Sequence, residues 1–223
     1  MDVNGVHFTC SCEQCQHGST LTTHIPARPY HHGDLRNALV LAATDLAAAQ
    51  GPDGVVLREA ARRIGVSPSA AYRHFPSREG LLAVVGSQAR QALAQRMMAA
   101  MDAVRARDSQ KRAAARFRAC GREYVRFALD EPGLFAVAFR PHSLELFVPE
   151  DPSPYHVLSG SLDQLDATNL LEVPRAGAEE LAWIAVHGAA ILLGSGAIPP
   201  SERERIVEGT LDMVAHGLLK PGT

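Results

Sequence analysis

The stretch that decides the fold is VVLREAARRIGVSPSAAYRHFPSREGLL, residues 55–82. Its first part carries apolar residues at helical spacing, which predicts a short helix with one buried face: Leu57, Ala60, Ala61 and Ile64. Gly65 ends this helix, because glycine accepts the left-handed backbone of a helix C-terminus. Ser67 caps the next helix, and Pro68 occupies its first position, where no N–H is needed. The pattern predicts helix, tight turn, helix, the arrangement that can lay its second helix in the major groove of DNA.

The second predicted helix has one inward and one outward side. Ala71 and Phe75 lie four residues apart and can face the core. The outward positions combine small residues, which allow close approach to base edges, with side chains that reach phosphates or bases: Ser69, Ala70, Tyr72, Arg73 and His74. A structural pair of helices with no DNA contact is the alternative that this spacing alone leaves open.

The string GVSPSAAYRHFPSREGLL, residues 65–82, resembles the DNA-binding domain of the TetR (tetracycline repressor-like) transcriptional regulators. The resemblance runs from about Pro29 to Val85 and implies DNA contacts from one set of residues: Arg58, Ser67, Ser69, Ala70, Tyr72, Arg73, His74 and Arg78. Two positions depart from the family pattern. Val55 and Val56 occupy positions where the family often has a Ser or Thr that bonds a DNA phosphate. Arg58 is a candidate to supply this contact instead. Arg78 replaces the usual Lys, which keeps the charge but changes a point charge to a planar fork.

Composition favours packed helices. The 223 residues are 46% hydrophobic and only 5% aromatic, and the net charge of −2 argues against a general polyanion binder. Residues 28–90 hold eight Arg against five Asp or Glu, whereas residues 91–223 hold 14 Lys or Arg against 17 Asp or Glu. A basic end on an otherwise acidic chain is typical of a site-specific DNA binder with a second function. Without a long uncharged apolar run or a basic leader, we expect a soluble, cytoplasmic protein with no membrane partner.

The predicted fold class is all-α, in three parts. Residues 1–28 form a flexible arm, residues 29–85 a three-helix helix-turn-helix domain, and residues 86–223 a helical domain for ligand binding and dimerisation. The first helix is predicted from about Asp34 to Gln50, with Asp34 as its N-cap. Ser77 is the predicted N-cap of the helix that follows the helix-turn-helix. Six further helices are predicted there: 81–107, 110–130, 134–139, 155–171, 178–193 and 201–219.

The segments YVRFALDEPGLF, residues 124–135, and AWIAVHGAAILL, residues 182–193, resemble the WHG-type C-terminal domain of TetR regulators. This resemblance covers about 117–219 and implies ligand binding, with dimerisation through the last two helices. The helix over 178–193 is apolar nearly all round, so we expect a second copy to cover part of it. Aromatic residues and one histidine are the candidate effector contacts: Tyr124, Phe127, Phe135, Phe139, Trp183 and His187.

The sequence shows no nucleophile–base pair and no phosphate-binding glycine loop, so we expect no enzyme and no cofactor. We expect a homodimeric transcriptional regulator, a repressor that a small-molecule effector releases from a palindromic DNA operator. The alternative is a metal- or thiol-redox-sensing regulator that acts through Cys10, Cys12 and Cys15, since thiolates at this spacing can hold soft metals. A structural zinc site usually has two pairs of ligands separated by a folded spacer, whereas this segment has a single cluster, so no metal site is assigned. A helical binding module without regulation is the third possibility.

Overall fold

The computed structural model describes residues 32–140 and 152–221, with side chains from Leu35 onward. These residues form nine α-helices and one short 3₁₀ turn at Pro200–Glu202: α1 His32–Gly54, α2 Leu57–Arg63, α3 Pro68–His74, α4 Arg78–Asp102, α5 Ser109–Asp130, α6 Pro132–Ala138, α7 Pro154–Ala167, α8 Ala178–Gly194 and α9 Arg203–Leu218. Within the described residues the β-structure is a single bridge between Leu171 and Leu219. The all-α prediction is confirmed.

Local signals place the helix ends of the helix-turn-helix. Gly65 has φ 73°, the left-handed conformation that its position after α2 requires. The Ser67 hydroxyl accepts a hydrogen bond from the Ala70 amide at 3.2 Å and caps α3. The Ser77 hydroxyl accepts one from the Gly80 amide at 3.1 Å and caps α4. These caps are the ones that the sequence predicts.

Three helices depart from their predicted limits by four or five residues. Helix α7 ends at Ala167, with Thr168 as its C-cap, rather than at about residue 171. Helix α1 begins at His32, so Asp34 lies inside its first turn rather than at its cap, and the helical stretch continues to Gly54 after a break at Gly51, where φ is 69° and ψ is −166°. Helix α4 ends at Asp102 instead of about residue 107, because Asp108 starts α5 by accepting the Lys111 amide at 2.8 Å. The chain needs a few residues to reverse direction between the two helices.

Two hydrophobic cores lie along α4. The first, which we call the head core, joins α1, α2 and α3 to the start of α4, with Leu39, Leu46 and Leu81 almost fully buried. The second, the body core, joins the remainder of α4 to α5–α9, with Leu93, Leu162 and other leucines buried. We call the corresponding parts of the molecule the head and the body.

Candidate nucleic-acid interface and ligand cavity

Helix α3 presents its predicted contact residues on the outer side of the head. Ala71 and Phe75 are buried, whereas Ser69, Tyr72 and Arg73 are exposed. Tyr72 is 43% exposed. The arrangement leaves an aromatic ring and a guanidinium available on one short helix.

The remaining predicted residues of α3 and its turn are half-buried or, in the case of the exposed Ser67, engaged in a cap. Ala70 and His74 are half-buried. The Ser67 hydroxyl, besides its cap bond, lies 3.1 Å from the Ser69 hydroxyl. Ser67 therefore holds the start of α3, and a phosphate contact from it would have to coexist with the cap.

Helix α2 carries its basic residues in two different situations. Arg58 is exposed, whereas Arg62 and Arg63 both donate to the Glu59 carboxylate, at 2.7 and 3.4 Å. The hydrogen bond from Arg62 is the main reason that the pKa of the Glu59 carboxyl falls to about 2. Val56 is the N-cap of α2 and provides no side-chain cap, so Arg58 stays the candidate for a phosphate contact there.

Arg78 ties the head together. Its Nε donates to the Val55 carbonyl at 2.8 Å and its Nη2 to the Pro52 carbonyl at 2.5 Å. Pro52 lies in the last part of α1, after the break at Gly51, and Val55 lies between α1 and α2, so the guanidinium orients the start of the helix-turn-helix. This role was not foreseen from the sequence, and the predicted phosphate contact of Arg78 stays a prediction.

The body contains a cavity of about 200 Å³, which we call the central cavity. It lies between α5, α8 and α9, with one residue each from α4 and α7. Its lining residues are mostly apolar: Met97, Ala114, Ala115, Phe117, Arg118, Cys120, Gly121, Tyr124, Leu158, Ala182, Trp183, Val186, His187, Leu211, Val214, Ala215 and Leu219. Three of the six predicted effector contacts are among them: Tyr124, Trp183 and His187.

The other three predicted residues do not line the cavity. Phe135 and Phe139 of α6 pack behind it, with ring centroids 5.6 and 5.8 Å from that of Tyr124. The ring centroids of Phe139 and His187 are 5.2 Å apart. Phe127 is on another side of α5, where the Arg96 guanidinium lies 5.3 Å from its ring centroid. Other helices pack on several sides of α5, so Phe127 and Tyr124 are buried against different neighbours.

A polar pair lies in the cavity wall. The Tyr124 hydroxyl and the His187 Nδ1 are 2.8 Å apart, and the His187 ring stacks on Trp183 with centroids 5.8 Å apart and planes at 10°. Burial raises the pKa of the Tyr124 hydroxyl well above 10 and lowers the pKa of the His187 imidazole below its usual 6.5. Burial also raises the pKa of the cavity-lining Cys120 thiol to about 12. All three groups are therefore uncharged at neutral pH.

The sequence analysis missed the α9 side of the cavity and the ion pairs that hold it. Arg118 donates to Glu208 at 2.5 Å and pairs with Asp212 at 2.6 Å, and Arg122 also binds Glu208. These bonds fasten α9 to α5. A signal for the missed residues exists in α5, where Phe117, Gly121 and Tyr124 follow helical spacing and the glycine leaves room opposite α9.

Helices α8 and α9 carry large apolar side chains that no other element among the described residues covers. We call them the α8–α9 apolar face: Leu181 (60% exposed), Ile184 (69%), Ile191 (46%), Leu192 (52%) and Met213 (61%). Positions 181, 184 and 191 follow one stripe of α8. A contiguous exposed apolar stripe of this kind is typical of a protein–protein contact.

The alternative site at Cys10, Cys12 and Cys15 lies outside the described residues. Among residues 32–140 and 152–221, no group of three or more His, Cys, Asp or Glu side chains is placed to hold a metal ion. None of the helices described is long and apolar enough to cross a membrane.

Comparisons with known proteins agree with these observations. Residues 39–85 match the tetR family of bacterial regulatory proteins, and residues 117–214 match the tetracyclin repressor-like C-terminal domain. No curated protein sequence matches the chain. A protein of unknown function from Rhodococcus sp. RHA1 is 26% identical, with a TM-score of 0.71 over 87% of this chain and 100% of that one.

Two further solved structures share the fold at lower identity. A TetR-family transcriptional regulator from Pectobacterium atrosepticum is 21% identical, with a TM-score of 0.63 over 86% of this chain and 98% of that one. RolR, solved in complex with its ligand resorcinol, is 16% identical, with a TM-score of 0.56 over the same shares of the two chains.

Proposed function

The chain belongs to the TetR family of DNA-binding transcriptional regulators, and from this premise we propose that it is a homodimeric repressor released from its operator by a small molecule in the central cavity. In this proposal α3 reads the operator, the α8–α9 apolar face joins two copies, and α6 couples the cavity to the head.

The observation that carries the proposal is the position of α6. On one side, Phe135 and Phe139 pack against Tyr124 and His187 at the cavity wall. On the other side, Val137 is 1% exposed and belongs to the head core. A displacement of the cavity wall therefore reaches the head through one short rigid helix.

Two further contacts hold α6 against the head. Arg90 of α4 donates to the Ala138 carbonyl at 2.8 Å. Gly133 lies so close to α1 that a Cβ built on it would be 2.1 Å from the Ala47 carbonyl oxygen. Because α6 touches both α1 and α4, a shift of α6 alters the helices that orient α3.

The proposed mechanism is a population shift between a DNA-binding and a released arrangement. An effector lowers DNA affinity only by the difference in its own affinity for the two arrangements. A ligand that enlarges the central cavity pushes on Phe135 and Phe139 and so favours the arrangement in which α6 has moved. In a two-fold dimer this changes the separation of the two α3 helices, which must match half-sites about 34–36 Å apart if they are one helical turn apart.

The DNA-reading role is tested by fluorescence anisotropy on duplexes from the gene's own upstream region and on a scrambled duplex, at near-physiological salt. We expect Arg73→Ala and Tyr72→Ala to weaken specific binding by about 1–3 kcal/mol where a base contact is lost. Arg107→Ala removes an exposed arginine between α4 and α5, so it is the matched control. Full affinity in both α3 variants would show that α3 does not read the operator.

The dimer is tested by sedimentation of an Ile184→Glu variant. A charge at the centre of the α8–α9 apolar face would be buried without a partner, so we expect a monomer. Leu41→Glu changes a leucine of α1 that is 66% exposed and serves as the control that keeps the dimer. A dimeric Ile184→Glu variant would place the contact between copies elsewhere.

A further inference from the structure

The size of the central cavity limits what it can hold. Its volume is about 200 Å³. A protein cavity of about 150 Å³ lined by apolar side chains accepts a benzene molecule. The central cavity therefore has room for one six-membered ring with a few further atoms.

The charges around the cavity are already paired. Arg118 is the one ionised side chain among the described lining residues, and it is bound by Glu208 and Asp212. Arg122 is the second cation on Glu208, so the network contains two positive and two negative groups. A charged ligand would lose its hydration and find no unpaired opposite charge, which makes its entry unfavourable.

The uncharged polar groups of the wall suit a hydroxyl group. The Tyr124–His187 bond can run in either direction, because a phenol both donates and accepts and a neutral imidazole exists as two tautomers. In each direction the Tyr124 oxygen keeps hydrogen-bonding capacity that the pair does not use. A ligand hydroxyl can accept from it or donate to it, so this group fits both arrangements.

The aromatic side chains of the wall favour a flat apolar body beside that hydroxyl. Tyr124 and Trp183 lie edge to face with ring centroids 5.1 Å apart, and both line the cavity. Aromatic pairs gain energy beyond their buried area when their edges and faces alternate. A third ring of this kind can extend the same packing.

We infer that the central cavity binds an uncharged single-ring molecule that carries one hydroxyl group, which is held by the Tyr124 oxygen of the Tyr124–His187 pair. The inference rests on the proposed function insofar as this molecule is the effector, and names the effector's chemical class. Acids and amines of the same size are excluded by the paired charges.

Trp183 is the single tryptophan of the chain and lines the cavity, so its fluorescence reports binding directly. The full-length protein is titrated with four probes matched in size, each of about ten non-hydrogen atoms to suit the cavity: 4-methylbenzyl alcohol, 4-methylbenzoate, 4-methylbenzylamine and 4-ethyltoluene. We expect the alcohol to bind at least about tenfold more tightly than the carboxylate and the amine. Equal or tighter binding of either charged probe, or no binding of the alcohol, overturns the inference.

The role of the polar pair is tested with two tyrosine variants. Tyr124 and Tyr155 both pack against Trp183, at 5.1 and 5.8 Å between centroids, but only Tyr124 is among the described lining residues. We expect Tyr124→Phe to weaken binding of the alcohol roughly threefold to tenfold and to leave binding of 4-ethyltoluene unchanged. Tyr155→Phe should leave the affinity for both probes unchanged. Unchanged binding of the alcohol in Tyr124→Phe would overturn the assignment of the hydroxyl.

The proposed function is tested separately, by adding the alcohol to the protein–DNA complex and following anisotropy. Binding to Trp183 with release of DNA supports both proposals. Binding with no effect on DNA keeps the inference about the cavity and contradicts the effector role. Release of DNA by a charged probe that displaces the alcohol from the cavity contradicts the inference and leaves the repressor proposal intact.

Discussion

Gly133 is the position where the coupling between body and head can be perturbed by one atom. A Cβ at this position would lie 2.1 Å from the Ala47 carbonyl oxygen and 2.9 Å from the Ala48 carbonyl oxygen. Ordinary contacts of a Cβ begin at 3.4 Å, so α6 and α1 must separate by 3.4 − 2.1 = 1.3 Å along this line. Both obstructing atoms belong to the backbone of a helix, so no side-chain rotation relieves the overlap.

The cost of Gly133→Ala follows from this overlap. Forcing an extra methyl group into a packed site typically costs about 1–3 kcal/mol. The substitution also gains helix propensity of up to about 1 kcal/mol, which partly hides the cost. Gly160→Ala, in the interior of α7, is the control for the added methyl group, since nothing lies within 4 Å of its added Cβ. Gly133 lies in the first turn of α6, where the gain in propensity is smaller, so up to about 1 kcal/mol of the difference in free energy of unfolding between the two variants comes from propensity and the remainder from the overlap.

The assay is urea denaturation followed by circular dichroism, with DNA anisotropy on the same preparations. We expect Gly133→Ala to be about 1–3 kcal/mol less stable than Gly160→Ala. We also expect it to bind operator DNA more weakly, by a factor on the order of five or more, because the displaced α6 imitates the released arrangement. Equal stability and equal DNA affinity in the two variants would refute the idea that α6 is seated rigidly on α1.

Two further substitutions test groups that the structure places in new roles. Arg78→Lys keeps the charge but loses the fork that holds the carbonyls of Pro52 and Val55, so the free energy of unfolding should fall by about 1–3 kcal/mol while the salt dependence of DNA binding stays the same. An unchanged free energy of unfolding would show that these two hydrogen bonds of Arg78 do not stabilise the head. The pKa of His187 is lowered by burial, so the unfolded chain binds the proton more readily, and stability is fully present above about pH 6.5 and declines as the pH falls below it. His187→Gln should flatten this decline, which is at most about 1.4 kcal/mol per pH unit, and pH-dependent urea denaturation of the two proteins shows whether it does.

The sequence predicted best where the deciding interactions are short in range. Gly65, Ser67 and Ser77 act on the backbone within a few residues, and each does in the structure what its position predicts. The start of the first helix was predicted less accurately: Asp34 was expected as its N-cap, whereas α1 begins at His32. The position of this cap depends on where the preceding chain enters the helix. DNA contacts on α3 stay predictions, although exposure of Tyr72 and Arg73 supports them.

The candidate cavity was predictable in part. Trp183 and His187 are four residues apart on one helix, and their stacking follows from helical geometry. Tyr124 and Phe127 are three residues apart on α5, yet only Tyr124 reaches the cavity. Helical spacing alone does not say which of several neighbouring helices a buried side chain meets, so Phe127 could not be separated from Tyr124 beforehand.

The sequence by itself determined the helices, the helix-turn-helix and the family, because caps and turns depend on near neighbours in the chain and the apolar face of a helix is set by residue spacing along it. Only the tertiary structure decided that Tyr124 bonds to His187, that Arg118 is neutralised by α9, and that α6 lies between the cavity wall and α1. Those contacts join residues far apart in sequence, and they depend on how whole helices pack. The physical reason is that packing selects partners by shape and by the burial of charge, which a one-dimensional pattern does not contain.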